Sequence, residues 1–277
     1  MKPPERQGEE YLARGFRDVD AAAVGKMVRC LTYMDGLPEF QQYKTAILEM
    51  MKPPIGSVTA DLGCGLGFDV RRLAKLVGSG GRAIGVDASL TLLESARAAS
   101  EGFPAVDFIQ ADIHSLPFAS GLLHSCKIDR TLQHVERPDA VLSEIFRTVR
   151  PGGAVVCADP DWGTFAIEAF PLGNAEHPVA RQVAQLWSQD IRNPRMGHDL
   201  RKLLEETGFV DLQVKETVLS TSAFESSDIV FDITQSALRL AASSASDEPL
   251  AWLAELREGV DSIYCSVTLV MNLARRP

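Results

Sequence analysis

Hydrophobic and polar residues change their spacing repeatedly between residues 57 and 159, and these changes mark alternating strands and helices. Short apolar runs predict strands, whereas longer stretches with apolar residues three or four positions apart predict amphipathic helices. The predicted strands span 57 to 62, 82 to 87, 105 to 111, 122 to 128 and 154 to 159. The predicted helices span 67 to 77, 89 to 101 and 137 to 149. This alternation favours a parallel sheet with crossover helices, so we predict an α/β fold.

Further amphipathic segments lie on both sides of this region. Apolar residues recur at helical spacing from Val24 to Met34, a second helix is predicted from Phe40 to Met51, and Pro53-Pro54 ends it. The C-terminal elements are predicted as helix 198 to 207, strand 209 to 219, helices 226 to 242 and 247 to 259, and strand 263 to 273.

A chain of 277 residues with 45% hydrophobic residues is long enough to bury a large core. We expect an N-terminal helical cap at 1–50 and one elaborated domain at 51–277. Helical insertions in that domain are expected at about 161–196 and 224–260.

The formal net charge is −9 and there is no long basic run, which disfavours a nucleic-acid partner. No apolar stretch reaches ~18 residues, so no membrane span is predicted, and the polar start of the chain shows no signal peptide. The five cysteines are far apart and indicate reduced core thiols. We therefore expect a cytoplasmic protein, with homo-oligomerisation left open.

The stretch 58–68 joins an apolar strand to three alternating glycines and predicts a ligand-binding turn. Glycines let the backbone bend sharply and approach a ligand closely, here at Gly63, Gly65 and Gly67. The dinucleotide fingerprint needs glycine at its sixth position, where this chain has Phe68. Asp61 would repel a pyrophosphate, whereas it would attract an ammonium or sulfonium group. We therefore predict a cationic ligand.

The same turn resembles the first motif of the class I S-adenosylmethionine-dependent methyltransferases, acid-x-Gly-x-Gly-x-Gly, at residues 61–67. Residues 85–89 resemble the second strand of that family and its terminal acid, and residues 110–118 resemble its third strand. Arg150-Pro151-Gly152-Gly153 is similar to the turn before the fifth strand in ubiquinone and menaquinone methyltransferases and related small-molecule enzymes. The resemblance implies a Rossmann-like, doubly wound sheet of seven strands, the last one antiparallel, and S-adenosyl-L-methionine as the cofactor.

Acidic residues end four of the predicted strands, and parallel strands present their carboxyl ends at one edge, where ligands bind. The resemblance implies that Asp87 accepts both ribose hydroxyls, and that Asp112 accepts the adenine amino group beside the backbone N–H of Ile113. Ser89 is the better candidate for the following helix N-cap. The predicted cofactor-binding residues are Asp61, Gly63, Cys64, Gly65, Gly67, Asp87, Ala88, Asp112, Ile113, Asp129 and Arg130.

His134 is the candidate catalytic residue because it follows the fourth strand, at the rim where the transferred methyl should emerge. An unperturbed pKa near ~6.5 suits a general base; the alternative is a histidine that bonds locally at a helix start. Arg130 either neutralises the nearby acids, clamps a substrate carboxylate or forms a structural ion pair. The other histidines show no metal-ligand spacing, and no metal is predicted.

The acceptor site is expected between the N-terminal helices and the segment after the fifth strand. Tyr33 is predicted to line its wall, and Asp159, Asp161 and Trp162 leave the fifth strand at the same rim. The aromatic side chains predicted to cover the core are Phe165, Phe170 and Trp187.

These features predict methyl transfer to an O, N or activated C atom of a small-molecule acceptor, either quinone-like or a secondary metabolite. Alignment of the acceptor and exclusion of water supply much of the acceleration, so a base is optional. An RNA or protein methyltransferase is an alternative, which the acidity disfavours, and so is a protein that binds the cofactor without turnover. A nicotinamide oxidoreductase conflicts with Asp61 and Phe68.

Overall fold

The computed structural model describes residues 11–17, 19–20, 24–169, 177–259 and 263–277, and these form one seven-stranded sheet. In chain order the strands are β1 Val58–Leu62, β2 Arg82–Asp87, β3 Val106–Gln110, β4 Leu123–Asp129, β5 Val149–Ala169, β6 Val210–Thr221 and β7 Ile263–Arg275. Their spatial order is β3-β2-β1-β4-β5-β7-β6. Strands β1 to β5 pair in parallel, and β7 lies antiparallel between β5 and β6. The predicted α/β class and the antiparallel last strand are confirmed.

The register of the parallel strands brings their carboxyl ends to one edge. Leu62 pairs with Val86 of β2 and with Ile128 of β4, and Asp87 pairs with Gln110 of β3. The strand order reverses at β1, because β2 lies on one side of it and β4 on the other. Open α/β sheets bind ligands outside the carboxyl ends at such a switch point.

Helices cover both faces of the sheet. In chain order the described helices are α1 Leu12–Gly15, α2 Val24–Gly36, α3 Pro38–Met51, α4 Phe68–Val77, α5 Leu90–Ala98, α6 Pro138–Thr148, α7 Pro178–Asp190, α8 Met196–Thr207, α9 Phe224–Phe231, α10 Ile233–Ser244 and α11 Glu248–Glu258. One buried cluster joins the sheet to α6 and α8, and a second joins it to α3, α4 and α7. This is the layered arrangement that buries both faces of a parallel sheet. None of the described helices is long and apolar enough to cross a membrane.

Three parts of the local prediction were wrong or incomplete. Strand β5, predicted at 154–159, runs from Val149 to Ala169 because β7 pairs with it along almost its whole length. Helix α7 lies within the helical insertion expected at about 161–196, but its bounds were not predicted, although Pro178 at its first turn is a helix-start signal. The helix predicted at 226–242 is two helices, divided at Asp232, whose φ is +51°. Phe170 lies outside the described residues.

The N-terminal segment is tied to distant parts of the chain. The backbone N–H of Leu12 donates to Asp232 Oδ2 at 3.0 Å, and Lys26 Nζ lies 2.8 Å from the same carboxylate. Arg14 pairs with Asp190 at 2.5 Å, and Ser89 Oγ lies 2.5 Å from Asp20 Oδ1. The described residues between 11 and 51 therefore contact the end of α7, the junction of α9 and α10, and the start of α5.

Candidate active site

The turn after β1 has a backbone that only glycine adopts easily. Gly63, Gly65 and Gly67 have φ of +69°, +50° and +69°. A Cβ on Gly63 would lie 2.2 Å from Thr131 Oγ1, and one on Gly67 would lie 2.7 Å from the Phe108 ring. Glycine is therefore required here both by conformation and by close packing.

Asp87 connects this turn to the next helix. Its Oδ2 accepts from the N–H of Gly65 at 2.8 Å, and its Oδ1 accepts from the N–H of Ser89 at 2.9 Å. Burial raises the pKa of Asp87, although these backbone hydrogen bonds oppose the shift. Each oxygen keeps an acceptor lone pair for a ligand. Ser89 Oγ accepts from the N–H of Leu92 at 3.1 Å, so the predicted N-cap is confirmed.

Asp112 lies just beyond β3, and one of its carboxylate oxygens already takes part in hydrogen bonds within the protein. Its Oδ1 accepts from the backbone N–H of His114 at 2.9 Å and lies 2.6 Å from the His114 Nδ1. These interactions lower the pKa of Asp112. The Oδ2 atom remains for an amino-group donor, and the buried Ile113 lines the same space.

A buried charge cluster that the sequence analysis missed lies beneath the glycine turn. Lys127 Nζ is 2.9 Å from Asp61 Oδ1 and 2.7 Å from Asp69 Oδ2. Lys44 Nζ, from α3, is 2.5 Å from both Asp69 Oδ2 and Asp129 Oδ2. Three carboxylates and two ammonium groups thus share one buried site. The signal in the sequence was Lys127 itself, a basic residue between the apolar residues of a strand that is predicted to be buried.

The electrostatics of this cluster bear on one argument from the sequence. Burial raises the pKa of Asp61 to about 6, although Lys127 opposes the shift. Asp69 is also buried, yet Lys127 and Lys44 hold its pKa well below the usual range. Because Lys127 already pairs with Asp61, the attraction of a cationic ligand by the charge of Asp61 stays a prediction.

The residues at this edge line one cavity of about 430 Å³. All the predicted cofactor-binding residues line it except Gly67, which caps α4. The aromatic side chains of Phe16, Trp162, Trp187 and Phe231 also line it. A volume of this size, with an apolar wall and a few polar groups, is typical of a small-molecule site.

Three residues predicted for the acceptor site do not line this cavity. The hydroxyl of Tyr33 is 2.6 Å from Ser226 Oγ, and Asp161 accepts from the N–H of Gly163 at 3.0 Å. Asp159 is fully buried and accepts from the N–H of Gln133 at 3.2 Å. Of the predicted acceptor-site residues, only Trp162 lines the cavity.

His134 lies in a single 3-10 turn, Leu132–His134, and lines the cavity. Its Nδ1 is buried and has no hydrogen-bond partner among the described residues, and its ring centroid is 5.6 Å from that of Phe16. Burial lowers the pKa of His134 to about 3, with further lowering by Arg17, Arg130 and Arg192. The imidazole is therefore neutral at physiological pH. Among the described residues there is also no cluster of three or more His, Cys, Asp or Glu side chains that could hold a metal ion.

The site fits S-adenosylmethionine in two respects. The glycine turn presents backbone without Cβ atoms, and Asp87 keeps free lone pairs at the cavity wall, as ribose hydroxyls require. Part of the cavity wall is apolar and aromatic, so a second molecule has room beside the cofactor.

Comparisons with known proteins agree with this geometry. A family model described as a methyltransferase domain matches residues 56–208. An uncharacterized 37.1 kDa protein in transposon Tn4556 of Streptomyces fradiae is 34% identical over 270 residues, which cover 95% of this chain and 75% of that protein. Demethylmenaquinone methyltransferase of Lactococcus lactis is 29% identical over 178 residues, 62% of this chain and 66% of that protein.

The fold also agrees with that of a solved structure. Phosphoethanolamine N-methyltransferase 2 of Haemonchus contortus, in complex with S-adenosyl-L-methionine, superposes with a TM-score of 0.59 at 18% identity. The match covers 96% of this chain and 60% of that one. Because the family model matches more than half of the chain, the chain belongs to the methyltransferase-domain family and is a class I S-adenosylmethionine-dependent methyltransferase.

Proposed function

We propose that this enzyme methylates an O, N or activated C atom of a small-molecule acceptor that has a largely apolar, planar body. The observation that carries the proposal is the continuity of the cavity, which runs from the glycine turn to the aromatic wall of Trp162, Trp187 and Phe231. These three side chains pack against one another with ring centroids 5.6 to 6.3 Å apart and are at most 7% exposed, so they give the cavity a continuous apolar base.

The cofactor-binding roles are assigned as follows in this proposal. The backbone at Gly63 and Gly65 faces the methionine part, Asp87 accepts the ribose hydroxyls, and Asp112 with Ile113 recognises adenine. When bound, S-adenosylmethionine supplies an electrophilic methyl group and its own leaving group.

The chain's own contribution is orientation and exclusion of water. The aromatic wall positions a planar acceptor, and alignment of a nucleophile near the methyl group supplies much of the acceleration. The partner-free Nδ1 of neutral His134 hydrogen-bonds the reacting atom of the acceptor, accepting from a neutral hydroxyl or amine or donating to an anionic oxygen according to its tautomer. With its pKa lowered to about 3, His134 orients the acceptor by this bond and does not store the proton at neutral pH.

A quinone-like acceptor has support from the name of the Lactococcus relative, a demethylmenaquinone methyltransferase. Residues 1–50 are proposed as a cap that closes the cavity, because Leu12 and Phe16 line it. The reaction is proposed to take place in the cytoplasm, in keeping with five free, buried cysteines. Homo-oligomerisation is a further proposal without a specific contact behind it.

The experiment is a screen in which the purified enzyme and S-adenosylmethionine are mixed with separate acceptor classes and S-adenosylhomocysteine is quantified. Reduced naphthoquinones, phenols, small amines, transfer RNA and an unfolded protein are the classes compared. Turnover confined to the planar small molecules is expected. Turnover confined to RNA, with affinity that falls steeply with salt, would instead support the RNA alternative. Cofactor binding without turnover of any class would support the non-catalytic alternative.

A further inference from the structure

Arg130 is held in a strained position with a guanidinium that lacks a full set of partners. Its φ is +52°, and its backbone N–H donates to the carbonyl of Ala158 at 2.7 Å. Its buried Nε has no hydrogen-bond partner among the described residues and lies 3.9 Å from Asp129 Oδ1, whereas Nη1 lies 2.9 Å from Met34 Sδ and the guanidinium stands over the Phe40 ring. Strain of this kind persists where surrounding structure enforces it and is common in ligand sites. A buried guanidinium with free donors favours an anionic ligand.

Two further arginines line the same cavity near its rim. Arg17 donates to the carbonyl oxygen of Asp190, because the two carboxylate oxygens of Asp190 are taken by Arg14 and Arg239. No carboxylate among the described residues lies within ion-pair distance of Arg17. Burial lowers the pKa of Arg17, and the charges of Arg192 and Arg14 lower it further. The positive charge at this rim therefore exceeds its local compensation.

Two of the acids that line the cavity, Asp129 and Glu136, lie near these arginines. Asp129 is paired with Lys44 at 2.5 Å. Glu136 lies 3.1 Å from Arg192, but its side chain is 77% exposed and its charge is screened by water. Among the described residues, Arg130 and Arg17 are therefore the arginines of this part of the cavity with no carboxylate within hydrogen-bonding distance.

His134 lies close enough to these arginines for its pKa to respond to their charges. Beyond the effect of burial, its pKa is lowered by Arg17, Arg130 and Arg192 together. A field that opposes a positive charge on the imidazole favours a negative charge on a ligand at the same place. The neighbouring Phe16 ring and the buried Trp162 and Trp187 supply flat apolar surface next to it.

We propose that the methyl acceptor is held as an anion, with a planar apolar body against the aromatic wall and an anionic oxygen beside His134 among Arg130, Arg17 and Arg192. This rests on the proposed small-molecule function and specifies its substrate class. The oxygen belongs to a phenol, an enol or a carboxylic acid. A phenol or enol releases its proton to solvent as it binds, and the electron pair of the O–H bond stays on oxygen as the nucleophile.

The test compares three naphthalenes of nearly equal size, bound to the protein saturated with S-adenosylhomocysteine. They are 2-naphthoate, a permanent anion, 2-naphthol, which ionises, and 2-methoxynaphthalene, which stays neutral. We expect the anionic form of at least one probe to bind about ten-fold or more tightly than 2-methoxynaphthalene, as a charge-assisted hydrogen bond provides. Absorption spectra distinguish the sources: naphtholate bound at a pH where free 2-naphthol is neutral indicates a phenol or enol, and preference for naphthoate alone indicates a carboxylic acid.

Two variants locate the anion. Arg130→Gln and Arg17→Gln should each remove about ten-fold of the preference for the anionic probe, while binding of 2-methoxynaphthalene stays unchanged. Arg130 is buried, so Arg130→Gln could fail to fold. Arg17 lies at the rim, and Arg17→Gln therefore tests the same preference in a variant that is expected to fold. Arg29→Gln, whose side chain is 68% exposed and pairs with exposed Glu225, is the matched control and should behave as wild type.

Equal affinity for the neutral and anionic probes, binding of none of them, or an unchanged preference in both variants would overturn the inference. Because the readout is equilibrium binding, it is independent of the turnover screen. If the enzyme methylates neutral acceptors and shows no preference for the anionic probes, the proposed function stands and only the anionic substrate class is rejected.

Discussion

The ammonium nitrogen of Lys127 lies 2.9 Å from the carboxylate Oδ1 of Asp61, and both side chains are only 3% exposed. Asp61 therefore supports the glycine turn from below through an internal ion pair. Through Asp69 and Lys44 the same cluster connects the sheet to α3 of the N-terminal segment. The stability of the site and the position of its cap are consequently coupled.

Lys127→Met should strongly destabilise the fold. Removing one partner of a buried ion pair leaves an uncompensated charge, which costs about 3 to 5 kcal/mol in the free energy of unfolding. Denaturant unfolding followed by circular dichroism measures this loss. Lys202→Met is the control because Lys202 is 78% exposed, and its variant should unfold like wild type. Equal stability of both variants would mean that the cluster contributes little.

Asp87→Asn should weaken cofactor binding while the fold survives. The amide keeps the shape of the side chain but loses the charge and one acceptor oxygen, so the N–H of Gly65 or of Ser89 also loses its partner. Each lost charge-assisted bond to ribose weakens binding about ten-fold to a hundred-fold. Equilibrium dialysis with labelled S-adenosylhomocysteine gives the affinity. Asp107→Asn, at a 47% exposed carboxylate on β3, should leave it unchanged. A wild-type affinity in Asp87→Asn would remove the ribose assignment.

His134 should make wild-type stability depend on pH in the acidic range. The imidazole binds a proton near ~6.5 in the unfolded chain but only near about 3 in the folded protein. Between these values the unfolded state binds more protons, so stability falls as the pH falls from 6.5 towards 3. The contribution is at most about 1.4 kcal/mol per pH unit. In His134→Gln this part of the slope should disappear, and identical slopes would contradict the assignment.

The same pKa changes the expectation for catalysis. An acid limb near ~6.5 in the rate would be expected from an unperturbed histidine base. In this structure the imidazole stays neutral through that range. The pH profiles of turnover for wild type and His134→Gln should therefore have the same shape near pH ~6.5, without a decrease due to protonation of His134. A limb near 6.5 that vanishes in the variant would show that the folded protein leaves the His134 pKa unperturbed.

Gly63→Ala tests the contact between the glycine turn and the loop after β4. The new Cβ would lie 2.2 Å from Thr131 Oγ1 at a residue with φ of +69°. Gly152→Ala is the matched control, because its φ is +74° but nothing lies within 4 Å of the added Cβ. Both variants share the backbone strain, and overpacking should destabilise Gly63→Ala by about 1 to 3 kcal/mol more. Equal free energies of unfolding for the two variants would show that Thr131 moves aside without an energetic cost.

The sequence was sufficient for features that depend on local patterns. Strand β2 has the predicted bounds, 82–87, because its apolar run is bordered by turn residues. The acids at 61, 87, 112 and 129 meet at one edge because the parallel register follows from the alternation of strands and helices.

Features that depend on distant partners were not predictable in the same way. The extension of β5 to Ala169 requires β7, about a hundred residues later in the chain. The pairing of Lys44 with Asp129 and the hydrogen bond from Leu12 to Asp232 depend on how the cap packs, which local periodicity does not encode. Tyr33, predicted for the wall of the acceptor site, is not among the residues that line the cavity, because its hydroxyl contacts Ser226, almost two hundred residues later in the chain.

The central claim is that the cavity at the carboxyl ends of β1 to β4 is an S-adenosylmethionine site, and calorimetric titration of the purified protein tests it most directly. S-adenosylhomocysteine should bind at one site per chain with measurable heat, and NAD should give none at the same concentrations. Binding of NAD, or the absence of heat with S-adenosylhomocysteine, would contradict the account.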